Sequence, residues 1–280
     1  MNIKFISVLA IVLLASLACG FNINLPQMPT PGAEITKEIN IPAPEGDEVN
    51  LKLSFGAGKM TLAPGAEQLL EGSAAYNYAA FKPVVLINEN QVEIKMSEIN
   101  SIPAFNDLKN EWDFKLGTTP MNLSIESGAY DGFFELGGLS LTNLTIKDGA
   151  SNVELSFSEP NSVKMSTFRY DTGASNVKMS GLANANFSIL DFSAGAGDYT
   201  LDFSGELQDD ATVKINSGFS NLILVVPENI NAVVTITSGA SNISTGAGWS
   251  QNGDIYKQEG KGATLTFIVE IGAENITLTK

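Results

Sequence analysis

One short motif recurs eight times along the chain and narrows what it can fold into. A glycine followed by small or flexible residues opens at Gly56, Gly128, Gly149, Gly173, Gly195, Gly218, Gly239 and Gly272. Four copies are nearly identical: Gly149-Ala150-Ser151-Asn152, Gly173-Ala174-Ser175-Asn176, Gly218-Phe219-Ser220-Asn221 and Gly239-Ala240-Ser241-Asn242. From Gly128 to Gly239 the successive intervals are 21, 24, 22, 23 and 21 residues. A fixed period of this size is the signature of stacked supersecondary units rather than of one irregular domain.

The flanks of the glycine carry strand periodicity. Five and three residues before it stand Leu51/Leu53, Leu123/Ile125, Leu144/Ile146, Phe168/Tyr170, Leu190/Phe192, Val213/Ile215, Val234/Ile236 and Phe267/Val269. All 16 are apolar, where a chain that is 44% hydrophobic would give roughly seven by chance. Positions four and six after the glycine are apolar in 14 of 16 cases, Gly132 and Thr245 being the departures. Pairs spaced by two, with mostly polar residues between them, describe half-buried strands. The unit is therefore read as strand, glycine turn, strand.

Third after the glycine comes Asn or Asp in seven of eight copies: Asp131, Asn152, Asn176, Asp198, Asn221, Asn242 and Asn275. Glycine admits positive φ, and Asn or Asp side chains bond to nearby backbone, so this ladder is read as turn structure, each side chain satisfying its own or the next unit's backbone. A Ca²⁺ ladder would use the same residue types, but the nonapeptide Ca²⁺ repeat needs another period; no metal is expected.

Two all-β architectures fit the repeat. A β-solenoid stacks equivalent positions on one another, and the nearly identical apolar columns favour it; the alternative is an antiparallel meander or sandwich. The expected organisation is a signal peptide over 1–18, a lipidated Cys and Pro-rich tether over 19–35, a β-rich module over 36–120, and a repeat solenoid over 121–280. Within the last, the interval from Gly239 to Gly272 is 33 residues. The excess holds Asn252-Gly253 between Trp249 and Tyr256, a hairpin signal placed at 246–262. The module before the repeat is either a coil of the same solenoid carrying an insertion or a separate cap.

The leader has a basic start at Lys4, an apolar run from Phe5 to Ala18, and then Cys19, the one cysteine of the chain. The run is too short for a spanning helix and suits a signal h-region. Ala18-Cys19-Gly20 resembles the bacterial lipobox, which implies a diacylglyceryl anchor on Cys19 at the extracytoplasmic face of a membrane. Ser16-Leu17-Ala18 also fits ordinary signal cleavage, which would give a secreted protein instead. With 31 acidic against 16 basic residues and a net charge of −15, nucleic acid is excluded as a partner.

The segments Leu51-Lys52-Leu53-Ser54-Phe55-Gly56-Ala57-Gly58, Leu62-Ala63-Pro64-Gly65, Asn110-Glu111-Trp112-Asp113 and Thr119-Pro120-Met121, with the Gly-Ala-Ser-Asn copies, resemble the toast-rack family of bacterial envelope proteins. That family includes adhesin-like domains of unknown function and the C-terminal domain of LiaF-type proteins of the cell-wall-active-antibiotic response. The resemblance implies a stacked β domain at the cell envelope, with an interaction or stress-related role.

Catalysis is approached by subtraction. The chain has no His, so Ser-His-Asp triads, imidazole acid–base work and His metal sites are excluded. Carboxylate chemistry remains, with candidates Asp209/Asp210, Glu111/Asp113 and Glu45/Asp47/Glu48. The most site-like cluster is Trp112 between Glu111 and Asp113, since an aromatic face with acids could hold a sugar; Trp112 as a core anchor is the competing reading. Trp249 and Tyr256 on the expected hairpin complete the tentative ligand surface. The expectation is a non-enzymatic, lipid-anchored envelope protein without cofactors, acting on an envelope protein or a cell-wall glycan. A surface glycan-binding or carbohydrate-active lipoprotein is the alternative.

Overall fold

Alternating apolar residues on both sides of each glycine build long strands with one buried face. In the computed structural model, which describes residues 31–97 and 108–280, these strands run to 15 or 16 residues. In chain order they are β1 (Ile35–Ile41), β2 (Val49–Pro64), β3 (Leu70–Tyr76), β4 (Pro83–Asn88), β5 (Gln91–Met96), β6 (Asn110–Leu116), β7 (Met121–Glu135) and β8 (Leu141–Asp148). There follow β9 (Ala150–Ser156), β10 (Met165–Ser180), β11 (Phe187–Asp202), β12 (Ala211–Val225), β13 (Asn231–Thr245), β14 (Trp249–Asn252), β15 (Ile255–Gln258) and β16 (Thr264–Thr279). The signal peptide, Cys19 and most of the tether lie outside the described residues.

The repeat units pair in parallel and nearly in register, which makes the architecture a β-solenoid and not a meander. β2 pairs β7, β7 pairs both β8 and β9, these pair β10, and β10, β11 and β12 follow one another. Like positions stack on like: Val177 lies beside Tyr199, Tyr199 beside Leu222, and Leu222 beside Ile276. All 16 apolar residues that precede the glycines are buried. The two halves of each coil face one another across this core, as the edge-on contact of Phe192 with Tyr199 shows (ring centroids 5.2 Å apart). Short return segments close the coils and add Leu136, Phe157, Leu182, Phe203 and Val226 to the same core.

The glycine motif itself differs from its sequence reading. The strand passes unbroken through the glycine in every coil but one, splitting only at Gly149 between β8 and β9. It is a bend in a strand rather than a turn between two. Nor do the ladder glycines Gly56 to Gly218 and Gly272 use positive φ, which within the long bent strands is found at Gly58 and Gly197, two residues past the bend. Their constraint is close approach. A methyl group on Gly128, Gly149, Gly218 or Gly272 would stand 2.6–2.9 Å from the carbonyl oxygen of the glycine in the neighbouring coil. At Gly173 and Gly195 the clash would be tighter still.

The stack also departs from chain order. β16 lies between β12 and β13, parallel to both, so the Gly272 coil sits inside the Gly239 coil. The 246–262 insertion is the antiparallel hairpin β14–β15, and β15 pairs the first half of β13 as a cap. At the other end β2 is a coil of the same solenoid, and its insertion covers it. β5, with β4 beside it, pairs Asn50–Ser54, while β6, carrying β3 and then β1, pairs Lys59–Pro64. A single core cluster and one sheet therefore run across the 120/121 boundary.

Candidate functional site

Because each strand alternates, the residues not committed to the core form two outward faces, one on each side of the bend. The face before the bend is ionic. It holds Lys52 and Glu126 in a 2.8 Å pair, Arg169 and Asp171 in a 2.7 Å pair, and Lys147, Asp191, Lys214 and Glu270. The face after the bend is different in kind. Its columns stand one, three and five residues past the glycine, and among the described coils from β2 to β12 they carry Ala except at Phe219, then amide or acid except at Lys59, then mixed residues.

The first column is Ala57, Ala129, Ala150, Ala174 and Ala196, until Phe219 replaces alanine in β12. Phe219 is 71% exposed, the most exposed large apolar side chain among the described residues. The second column is the Asn/Asp ladder. Asn152 Nδ2 donates to Asp131 Oδ1 at 3.0 Å, and Asn176 Nδ2 donates to Asn152 Oδ1 at 3.0 Å. From Asp131 to Asn176 the ladder thus bonds side chain to side chain across coils. The third column holds Phe133, 41% exposed with Lys59 Nζ 5.0 Å above its ring, then Glu154, Lys178, Thr200 and Ile223.

Two shallow grooves lie on this face and share Asn152 and Asn176. One, of about 620 Å³, runs over Ala129, Asp131, Ala150, Ala174 and Ala196; the other, of about 330 Å³, runs past Phe133, Glu154, Lys178 and Asp198. From β2 to β12 the ladder and the third column hold Lys59 and Lys178 against Asp131, Glu154 and Asp198. On a chain of net charge −15 this is a nearly balanced surface.

The tentative ligand residues separate in the structure. β6 alternates, so Trp112 is buried at 1% exposure, edge-on to Phe55 at 5.0 Å, while Glu111 and Asp113 point outward. Trp112 is a core anchor and cannot share a binding surface with its two neighbours. Glu111 and Asp113 do border the face after the bend, beside Lys59 and Thr61 in register. Tyr256 is buried, with its hydroxyl accepting from Gln251 Nε2 at 2.9 Å, and Trp249 is half-buried against the core. Both serve the hairpin cap. The other carboxylates stay apart: Asp209 pairs with Lys164 at 2.8 Å, Asp210 accepts from the Thr264 N–H at 2.7 Å, and Glu48 accepts from the Thr142 hydroxyl.

The sequence reading missed a polar cluster at the bend. Asp148 accepts from the Tyr170 hydroxyl at 2.8 Å, and also from Thr172, Ser175 and Tyr130. Ser175 Oγ in turn accepts from Ser151 N–H at 3.0 Å. Burial, followed by the charge of Asp148, raises the Tyr130 phenol; burial, then the neighbouring Tyr130 and Asp148, raises that of Tyr170. It also missed a row of staples between coils. Buried Asn161 donates to Leu141 and Val163 carbonyls at 2.8 Å and accepts from Leu141 N–H, and Asn184 donates to the Phe157 carbonyl at 2.9 Å. Glu135 accepts from Gly137, Ser156 and Ser158; burial pulls its carboxyl up, but these donors together hold its pKa below the usual value. Only the spacing of Asn161 and Asn184 near the repeat period could have pointed to the staples.

Parallel bent strands, capped at both ends and closed by short returns, make this a β-solenoid protein. Residues 30–180, more than half of the chain, match the family model described as the N-terminal domain of toast_rack, DUF2154, and the chain belongs to that family. No curated protein matches it. It is similar to a solved structure from Clostridium sporogenes ATCC 15579, provisionally described as a cell adhesion protein, at 20% identity and a TM-score of 0.47 over 88% of this chain and 99% of that one. A provisionally described adhesin from Bacteroides fragilis NCTC 9343 is similar at 10% identity and a TM-score of 0.41, over 89% and 99%. A third, from Parabacteroides distasonis ATCC 8503 and provisionally described as lipid binding, gives 12% identity and 0.31, over 89% and 99%. Among the described residues no helix is long and apolar enough to cross a membrane.

Proposed function

We propose that the chain is a non-catalytic protein of the bacterial cell envelope, anchored by lipid on Cys19, that presents the face after the bend to a partner. The observation that carries this reading is the contrast between the two faces. One is laced with ion pairs, as a solvated surface is; the other is a nearly balanced array of amides with Phe219 and Phe133 exposed on it. Large exposed aromatics on an otherwise polar surface mark contact sites. The anchoring part rests on the apolar run ending at Ala18-Cys19-Gly20 and on the Pro-rich stretch behind it, which would hold the solenoid off the bilayer.

Labelling growing cells with radioactive palmitate and fractionating them tests the proposal. The wild-type chain should take up label and follow the membrane fraction, and Cys19→Ser should do neither. Label retained by Cys19→Ser would overturn the anchor, and recovery of the unlabelled wild type with the cytoplasm would overturn the envelope assignment.

A further inference from the structure

Resting on that reading, we propose that the face after the bend binds a linear, electrically neutral polysaccharide, lying across the strands from Phe133 to Phe219. Three features of the face converge on this ligand. First, the two exposed phenyl rings stand far enough apart for several pyranose rings to lie between them. Phe133 and Phe219 are four strands apart, about 19 Å across the strands at roughly 4.8 Å each. Phe219 lies four residues before Ile223, the register partner of Phe133 through Glu154, Lys178 and Thr200, so the line between the rings crosses the columns obliquely, past Asn152 and Asn176. Second, the residues between them are those that hold sugar hydroxyls. The carboxamides of Asn152 and Asn176 border both grooves and offer donors and acceptors, and the alanine column leaves the larger groove open above the sheet.

The third feature is Phe219 itself. Every other described coil from β2 to β11 has alanine at this position, and no packing need accounts for a phenyl ring that is 71% exposed. An apolar ring face laid against the axial C–H face of a sugar gives it one. Charge sets the class of chain. A polyanion would be repelled by a protein of net charge −15, and the face itself, with Lys59 and Lys178 against Asp131, Glu154 and Asp198, lacks the excess of acids that would select a polycation. A neutral polymer meets neither obstacle.

The test is calorimetric titration of the full-length chain, in detergent micelles, with a hexamer of β-1,4-linked N-acetylglucosamine. Saturable binding is expected, and Phe219→Ala should weaken it by about tenfold, the scale of an aromatic hot spot. That variant restores the alanine of the repeat, so its far-UV circular dichroism and Tm should match wild type. Phe133→Ala should weaken binding as well, and Lys52→Ala, on the opposite face, should leave it unchanged. No heat of binding from the folded wild-type chain, or an affinity indifferent to both phenylalanines, would overturn the inference. Equal binding of polygalacturonate would overturn the neutral class. A chain that fractionates with the envelope yet ignores the hexamer would sink this inference and leave the envelope assignment standing; a cytoplasmic chain would do the reverse.

Discussion

The glycine at each bend is required by what lies beside it, not by its own backbone angles. Six glycine backbones, from Gly128 to Gly272, approach the next coil too closely for a Cβ, and the methyl of a Gly173→Ala variant would press on the Gly149 carbonyl oxygen at 2.5 Å. Both atoms belong to paired backbone, so neither can move aside cheaply. We expect Gly173→Ala to cost about 1–3 kcal/mol, the usual range for overpacking, measured as a lowered denaturant midpoint at an unchanged m-value. The sequence pattern shows that glycine is needed here; the reason lies in the distance between coils, which a sequence does not display. The Asp148 cluster makes a second prediction. Its two phenols have raised pKa values in the fold, so the folded state favours their neutral form. Their contribution to stability is full below the unfolded tyrosine value of about 10 and declines as pH rises above it. Urea titrations from pH 8 to 11 should show this decline, and Tyr170→Phe should make the alkaline fall shallower.

At the scale of elements, the ends of the stack are where the repeat breaks and where its edges must be covered. The hairpin β14–β15 pairs four residues of β13, Ala232–Thr235, and Tyr256 enters the core behind it. Buried Gln258 fastens it by donating to the Val226, Pro227 and Ile230 carbonyls at 2.8–3.3 Å. Replacing Trp249–Gln258 with a short Gly-Ser linker would bare that strand edge. Size-exclusion chromatography should then show concentration-dependent association that the wild type lacks, as exposed edges produce. The Asn-Gly signal was enough to find the hairpin. Its position was not legible, because nothing in Asn252-Gly253 says that the strand it caps has been displaced one place outward by β16. Trp112 teaches the same lesson in reverse. Its acidic neighbours suggested a site, but the period of two along β6 sends the ring inward and the acids outward.

For the molecule as a whole, the repeat made the core and the fold class legible nearly residue by residue. The 16 apolar positions before the glycines are all buried, and the parallel stack follows from columns that match from coil to coil. What the repeat hides is order. When Asn221, Asn242 and Asn275 occupy equivalent places, any of them can stand beside any other, and only the lengths of the connections decide. The outward face was equally hidden, since the Asn/Asp column that looked like turn chemistry is a surface ladder, and Phe219 stood within a copy of the motif read as nearly identical to the others. The proposed contact face is built from columns spanning many coils, so the order and register of the coils are the central claim. Disulfide trapping tests it most directly. In a Cys19→Ser background, Asn221→Cys with Asn275→Cys places two thiols on adjacent, registered strands, within the roughly 4.4–6.8 Å Cα range that a disulfide spans. Asn221→Cys with Asn242→Cys places them two strands apart, with β16 between. Mild oxidation should link the first pair and leave the second free; a disulfide in the second pair and none in the first would contradict the account.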